Sequence, residues 1–502
     1  MRPADREARG NRSNRGACMN RDEERLTLER SRPFGVAEDL IGGRLDRDVV
    51  LAKKVILTAD EGVLSAVEAQ WCMLDSLQLL VRVVGQLQVV LPEDAPPSFA
   101  VAVAGAIASV WSQGAISLVH ADGASWDDAA SVLCIHRPHA RAADPVVVGS
   151  AGWIAYVGTA LLAGGVAQAN PIAALMAASI GVTEVFKQVY GVPADVAPRL
   201  VDEYFNLYSL STSDITQGPS LPPNPSLPDA LLLGAGAIGN AIASLLNRLR
   251  PRGRLVVIDK DVFAPENRGT CMLLDQDTWL GQSKAEMLAS FIKQADGLSV
   301  HSWHGRIEDA IDLKELGLAD IDLVLGALDD VGARRAVQRL WPAVMVDGAI
   351  NARGATSVAH RFADNDVACL RCTFQEPRRK LSEYSDAERQ LYAQRKGICA
   401  QLDGDATQEA FGLELEEGFR PSVPFVASAS AALVVAQALK ATLWPHEGLA
   451  HQLQIESLFL GFSTAQRLRR TPLVNCECVR HRGVIQKSVI EARAARRGMP
   501  PA

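Results

Sequence analysis

The chain has 502 residues, 48% of them hydrophobic, and its 51 basic and 58 acidic residues give a formal net charge of −7. This composition predicts a globular chain of about three domains, and the charge excludes a general attraction to nucleic acid or anionic lipid. We therefore expect neither nucleic acid nor membrane among its partners. The nine cysteines are more typical of metal sites or catalytic thiols than of a disulfide framework.

The N-terminal part of the chain divides into a polar tail and an α/β domain. Residues 1–29 are rich in arginine and have no apolar stretch of the kind a secretory signal needs, so we predict a disordered basic tail and a cytoplasmic protein. Residues 30–210 contain the strand-like runs KVILTAD, QLQVVLP, AISLVH and PVVVGS, separated by helical patterns. The uncharged stretch 145–183 is long enough for a membrane span, but AQANP interrupts it, which favours a buried strand followed by a buried helix.

The next segment, 211–228, contains five prolines and predicts an extended linker to a second domain, 229–484. That domain also alternates strand-like and helix-like runs, and residues 485–502 form a C-terminal tail. The segment PIAALMAASIGVTEVFK of the first domain aligns without gaps on PFVASASAALVVAQALK of the second. We therefore predict two related, doubly wound α/β domains of the Rossmann type in tandem.

A glycine-rich loop distinguishes the second domain from the first. In LLLGAGAIGN the glycines Gly234, Gly236 and Gly239 stand between a strand and a helix, where free backbone N–H groups can bind phosphate. Asp259, twenty residues beyond Gly239, ends the next strand and can accept ribose hydroxyls. The first domain has TADEGVL at this place, which predicts that it binds no nucleotide. The loop alone fits NAD enzymes and ATP enzymes equally.

The motifs that follow resemble those of the ThiF/MoeB/ubiquitin-activating enzyme superfamily. In order these are VIDKDVFAPENRGT, LGQSKAEML, GALDDVGARR and CLRC. The resemblance covers 229 to about 482, with two departures: Arg268 directly follows Asn267, where the family's arginine stands three residues after its asparagine, and Asp330 replaces a second asparagine. By this resemblance, the ATP and Mg²⁺ site comprises Gly234, Gly236, Gly239, Asp259, Asp261, Asn267, Arg268, Lys284 and Asp329.

The resemblance implies adenylation, in which a carboxylate attacks the α-phosphate of ATP and pyrophosphate leaves. Two anions must meet in this reaction, so Lys284 and an arginine are expected to neutralise phosphate charge, and Asp329 to hold Mg²⁺ at a strand end. An alternative for Asp329 is that it caps the helix that follows it.

The cysteines suggest a structural metal and a nucleophile. Cys369 and Cys372 have zinc-knuckle spacing, and the resemblance predicts a second pair, for which Cys476 and Cys478 are the candidates. That pair is one residue closer than usual, which leaves His481 as an alternative ligand. By the same resemblance a thioester-forming cysteine belongs to the crossover loop between the pairs, which favours Cys399, beside Arg395 and Lys396, over Cys271.

An inactive domain followed by an active one resembles a compact activator of ubiquitin-like proteins, including the BilD type of bacterial antiphage conjugation. Its expected partners are a ubiquitin-like protein and a ubiquitin-conjugating-type enzyme, and homodimerisation stays open. In the family an arginine of the partner domain reaches the ATP phosphates; the candidates are Arg25, Arg30 and Arg32, with Arg30 ranked first. The alternatives are a ThiF/MoeB-type adenylyltransferase without thioester transfer, an NAD-dependent oxidoreductase, and a nucleotide-free scaffold.

Overall fold

The computed structural model describes residues 32–491 apart from 111–113, 121–122, 160–168, 275–276, 293–296, 362–366, 375–421, 486 and 488–490. The chain contains two β-sheets, one in each half. The strands of the first sheet are β1 (Lys54–Ala59), β2 (Gln86–Leu91), β3 (Ala115–His120), β4 (Ala129–Ile135), β5 (Val146–Ala151), β6 (Ile154–Gly158) and β7 (Glu203–Asn206). Those of the second are β8 (Ala230–Leu233), β9 (Gly253–Asp259), β10 (Leu298–His304), β11 (Leu323–Gly326), β12 (Val344–Ile350), β13 (Ala355–Arg361), β14 (Gln452–Ile455) and β15 (Ala465–Leu468).

The two sheets have the same topology over seven strands, and the second sheet has one additional strand, β15, at its edge. The first has the order β3-β2-β1-β4-β5-β6-β7 and the second β10-β9-β8-β11-β12-β13-β14-β15. In each, the first five strands are parallel and the remainder antiparallel. The strand order reverses between β1 and β4 and between β8 and β11, which are the switch points where doubly wound sheets bind ligands. The predicted pair of Rossmann-like domains is confirmed.

Helices cover the sheets and fill the space between the halves. The helices are α1 (32–41), α2 (Arg47–Ala52), α3 (Val67–Leu80), α4 (Pro97–Ser109), α5 (Pro171–Tyr190), α6 (Ala237–Leu249), α7 (Lys284–Ile292), α8 (Ile307–Ala310), α9 (Val331–Ala336), α10 (Leu370–Thr373), α11 (Pro424–Leu443), α12 (Glu477–Arg480) and α13 (Arg482–Ile485). One continuous hydrophobic core runs from Phe34 to Phe462 and includes both halves. The two halves therefore share one hydrophobic core.

The two segments that align in sequence are the equivalent central helices, α5 and α11. Each begins with proline at its first position and has twenty residues. Both are long and apolar enough to cross a membrane, but about nine tenths of each apolar stretch is buried inside the protein. The prediction that stretch 145–183 forms buried strand and helix agrees with β5, β6 and α5. The helices α5 and α11 pack against each other. At this contact the rings of Phe186 and Phe425 lie edge to face, with 5.5 Å between their centroids.

The lysine near the end of each central helix bonds to the opposite half. Lys187 on α5 donates through Nζ to the carbonyl of Phe459 at 3.1 Å, and Lys440 on α11 donates to the carbonyl of Tyr208 at 2.9 Å. Both acceptors lie just after equivalent strands, β14 and β7. Lys187 is also paired with Glu184, so its buried charge is compensated. The bonds are reciprocal, since each half donates one and accepts one.

The predicted linker 211–228 lies extended along the first half. The indole nitrogen of Trp153 donates to the carbonyl of Pro219 at 2.8 Å, and Ser226 forms a parallel bridge with Arg252 at the start of the second half. The linker is therefore attached at both ends. The tails 1–29 and 485–502 and the crossover loop were predicted for parts of the chain that lie largely outside the described residues.

Candidate active site

The glycine loop joins β8 to α6 at the switch point of the second sheet. Gly234 has φ +99°, and a Cβ there would lie 2.7 Å from the carbonyl oxygen of Ala327; a Cβ at Gly239 would lie 2.1 Å from the carbonyl oxygen of Gly234. Both positions therefore require glycine. A Cβ at Gly236, the N-cap of α6, would meet nothing within 4 Å. The helix N-terminus thus faces an open cradle that suits a phosphate.

Asp259 fastens this loop to the neighbouring strand. Its Oδ2 accepts the N–H of Ala235 at 2.6 Å and its Oδ1 the N–H of Asp261 at 2.8 Å. The carboxylate is buried, with 7% exposure. Burial raises the pKa of Asp259, and the two backbone hydrogen bonds and Lys284 oppose that rise. Each oxygen keeps a further lone pair for a ribose hydroxyl.

Lys284 is the first residue of α7 and is not a solvated surface charge. Only 8% of it is exposed, its Nζ lies 3.5 Å from Asp261 Oδ2, and its backbone N–H donates to the carbonyl of Asp261 at 3.0 Å. The start of α7 is therefore fixed against the end of β9. This arrangement holds a cation close enough to Asp259, which bonds the glycine loop, to oppose the rise that burial causes in the pKa of that carboxylate.

Asn267 and Arg268 lie on the 3₁₀ turn Pro265–Gly269. The Asn267 side chain accepts the N–H of Ala264 at 2.9 Å and closes the turn, which is a structural role that the sequence did not predict. Arg268 is buried, with 4% exposure. The turn thus fixes the backbone of both residues shortly after Val262, which bridges to Ser283, the residue before Lys284.

Asp329 and Asp330 follow β11 and have different roles. Asp330 is the N-cap of α9 and accepts the N–H of Ala333 at 2.6 Å. Asp329 is exposed and makes no hydrogen bond or ion pair with any residue that the structure describes. The helix-cap alternative for Asp329 therefore belongs to Asp330, and Asp329 keeps a carboxylate available for a cation.

The resemblance indicated Arg334 as part of the motif GALDDVGARR, but the sequence did not predict the buried ion pair that it forms with Asp347. Arg334 on α9 lies with Nε 3.0 Å from Asp347 Oδ2 on β12, donates to the carbonyl of Gly348 at 3.1 Å, and stands 4.8 Å above the ring of Phe374. Asp347 is fully buried, and desolvation raises its pKa to about 6 although Arg334 opposes the rise. A charged residue inside the apolar run VMVDGAI was the available signal.

The switch point of the first sheet is filled by side chains. Arg137, after β4, lies with Nε 3.0 Å from Asp60 Oδ2, after β1, and donates to the carbonyl of Glu61. The N–H of Gly62 donates to Asp94 Oδ2 at 2.6 Å. Protein carboxylates and an arginine thus lie where the second half presents bare backbone; that the first half binds no nucleotide stays a prediction.

Four cysteines form a compact cluster in the second half. Cys369 Sγ lies 3.7 Å from Cys372 Sγ and 3.6 Å from Cys476 Sγ, and Cys372 Sγ lies 3.6 Å from Cys478 Sγ. All four sulfurs lie within 4.8 Å of one another. Tetrahedral Zn²⁺ with Zn–S bonds of about 2.3 Å requires sulfurs about 3.8 Å apart, so the cluster fits a closed structural site. His481 is outside this group, and no other such group occurs among the described residues.

The remaining candidates divide by position. Cys399, Arg25 and Arg30 lie outside the described residues. Cys271 is fully buried, and desolvation raises its pKa, which makes it a poor nucleophile. Arg32, at the start of α1, interacts electrostatically with Cys271 and Glu266, and its Nη1 lies 3.5 Å from Ser422 Oγ just before α11. The first half therefore extends an arginine toward the Asn267–Arg268 turn.

Comparisons with known proteins identify a family for the second half of the chain. Residues 228–478 match the ThiF family. Uncharacterized protein y4jF of Sinorhizobium fredii (strain NBRC 101917 / NGR234) is 26% identical over 359 residues, which are 70% of this chain and 66% of that protein; the chain thus spans just under two thirds of that relative. Crystal structures of E. coli MccB with MccA-N7isoASN, with ATP, and with neither cover 50% of this chain at 16%, 16% and 18% identity. Each has a TM-score of 0.36, over 67%, 67% and 65% of its own chain.

Proposed function

The chain belongs to the ThiF family of ATP-dependent adenylating enzymes, and from that premise we propose that it activates a ubiquitin-like protein. It adenylates the C-terminal carboxylate of that protein, transfers the acyl group to its own cysteine, and passes it to a conjugating enzyme. We place this activity in the cytoplasm, in a bacterial antiphage system.

One observation supports ATP chemistry most strongly: four separate segments meet at the switch point of the second sheet. The glycine loop lies directly against the loop that leads to Asp329. The two are so close that a Cβ at Gly234 would collide with Ala327 and Leu328. Asp259 holds the glycine loop, and Lys284 is fixed at the end of β9. An NAD-dependent oxidoreductase needs the loop and Asp259, but hydride transfer has no use for Lys284 or Asp329.

The proposed first step joins two anions. A substrate carboxylate oxygen forms a bond to the α-phosphorus of ATP while the bond between the α-phosphorus and the bridging oxygen breaks, and pyrophosphate leaves. The open N-terminus of α6 binds phosphate, and Lys284 neutralises part of the developing charge. Asp329 would hold Mg²⁺, which supplies further positive charge to the phosphates. Of the three candidate arginines in the first half, Arg25, Arg30 and Arg32, only Arg32 lies among the described residues, where it interacts electrostatically with Glu266.

The proposed second step uses Cys399. Its thiolate attacks the acyl carbon, the bond to AMP breaks, and a thioester forms. Cys271 is unsuitable because it is buried. A sulfur-carrier adenylyltransferase of the ThiF/MoeB type would stop after the first step, so the thioester distinguishes the two functions.

The test separates the steps. Wild type, Cys399→Ala and Cys271→Ala are incubated with MgATP and a candidate ubiquitin-like protein, and pyrophosphate exchange and thiol-sensitive gel shifts are measured. We expect all three to catalyse exchange and Cys399→Ala alone to lose the shifted band. A band that persists in Cys399→Ala contradicts the assignment of the cysteine. Calorimetry with ATP and with NAD tests the first step independently, since binding of NAD alone would overturn adenylation.

A further inference from the structure

The first half places a buried arginine against the second half. Arg82 follows α3 and is 1% exposed. Its Nε donates to the carbonyl of Cys271 at 3.2 Å and its Nη2 donates to the carbonyl of Leu274 at 3.0 Å. Its Nη1 donates to the carbonyl of Gln78 in α3, the helix that precedes Arg82. One guanidinium therefore joins α3 of the first half to a turn of the second.

The turn held by Arg82 continues directly from the nucleotide site. The N–H of Cys271 donates to the carbonyl of Asn267 at 2.8 Å, and the N–H of Leu274 donates to the carbonyl of Cys271 at 3.1 Å. Cys271, Met272 and Leu274 are at most 1% exposed. The segment from Asn267 to Leu274 is thus a chain of consecutive hydrogen bonds whose far end is fixed by Arg82.

Arg82 is itself held firmly. The Tyr190 hydroxyl at the end of α5 donates to the carbonyl of Val83 at 2.8 Å, next to Arg82. The two carbonyl acceptors are reached by different nitrogens of one planar fork, which a lysine ammonium cannot reproduce. A fork of fixed geometry on a rigid support can determine where the turn lies.

We infer that Arg82 is a positioning residue of the nucleotide site, through which the first half fixes the segment that carries Asn267 and Arg268. It touches no substrate; it acts through the carbonyls of Cys271 and Leu274. This inference rests on the proposed function, because it assumes that Asn267 and Arg268 bind ATP. It gives the first half a part in ATP binding that is separate from any arginine at the phosphates.

The experiment compares Arg82→Met and Arg82→Lys with Lys440→Met. Lys440 is a matched control because it also bridges the halves by donating to a carbonyl, but that carbonyl belongs to Tyr208, outside the nucleotide site. For each variant we measure the KM for ATP in pyrophosphate exchange with a candidate ubiquitin-like protein as the carboxylate substrate, amide hydrogen exchange across 264–274, and the melting temperature.

Arg82→Met should raise the KM for ATP about tenfold, the effect of losing one to two hydrogen bonds from a charged donor, and should accelerate amide exchange in 264–274. Arg82→Lys should show intermediate values, since it can keep one of the two bonds. Lys440→Met should lower the melting temperature without changing either readout.

A KM within twofold of wild type in Arg82→Met, or an equal rise in Lys440→Met, overturns the inference. If Arg82→Met does not fold, Arg82→Lys decides by the same two readouts. Wild type without any pyrophosphate exchange would refute the proposed function instead, and amide exchange in 264–274 would still show whether Arg82 fixes the turn.

Discussion

The two halves have the same order of strands and opposite contents at the switch point. In the first, Asp60, Asp94 and Arg137 fill the space with protein charge. In the second, Gly236 leaves the N-terminus of α6 open, Lys284 is paired with Asp261 after β9, and Asp329 is exposed after β11. The comparison teaches that strand order supplies only the crevice, and that a few loop residues decide whether nucleotide can enter it.

The largest expected effect tests this difference directly. Lys284→Ala should reduce ATP–pyrophosphate exchange at least about 100-fold, because the lysine is the fixed cation close to Asp259, which bonds the glycine loop. Arg137→Ala, at the switch point of the first half, should leave exchange near the wild-type rate. Exchange assays with circular dichroism as a folding control check both. Normal exchange by folded Lys284→Ala, or its loss in folded Arg137→Ala, would break the contrast between the halves.

The second prediction concerns the cluster of four cysteines. Among the described residues, such a cluster occurs in the second half and not in the first. Elemental analysis should find one zinc per chain, and Cys369→Ser should remove it and lower the melting temperature by many degrees. Structural zinc contributes about 10 kcal/mol in small modules and less where a core already exists. Cys134→Ala, a buried cysteine of the first half, is the control and should keep full zinc content. Zinc-free wild type of unchanged stability would remove the site.

The smallest effect is the pH dependence contributed by Asp347 on β12, a position with no acidic counterpart on the equivalent strand β5. The pKa of Asp347 is raised to about 6 in the folded protein, so folding favours the protonated carboxyl. The protonated Asp347 contributes up to about 3 kcal/mol to the free energy of unfolding below about pH 4. This contribution is lost as the pH rises through 6. Urea unfolding should therefore show wild type losing stability relative to Asp347→Asn between pH 4.5 and 7.5. A difference that is constant with pH would contradict the protonated state.

The sequence predicted those parts of the site that depend on local spacing. Gly234 directly follows β8, Asp259 ends β9 and Lys284 begins α7. The topology that brings such ends together is common to doubly wound sheets. The cysteine cluster was also predictable, although the short spacing of Cys476 and Cys478 left His481 as an alternative that the geometry removed.

Contacts between distant segments could not be predicted. Arg82 reaches Cys271 across 189 positions, and no periodicity in either segment indicates that they meet. Asp347 pairs with Arg334 because β12 lies beside β11, which depends on the whole sheet. Asn267 looked like a ligand, but its side chain also closes its own turn, since the same amide can do either. The domain boundaries, Cys399 and Arg30 stay predictions.

The reciprocal lysines have a consequence for how the chain can change. In a dimer of two identical subunits, the same lysine of each subunit would make both hydrogen bonds between them. Every substitution of that lysine would then alter both bonds at once. Here Lys187 and Lys440 are separate positions with different surroundings: Lys187 forms an ion pair with Glu184, whereas Lys440 lies over the ring of Tyr208. Covalent linkage thus releases the assembly from strict symmetry: one crevice can fill with charge while the other stays open, and each crossing can be adjusted without disturbing its twin.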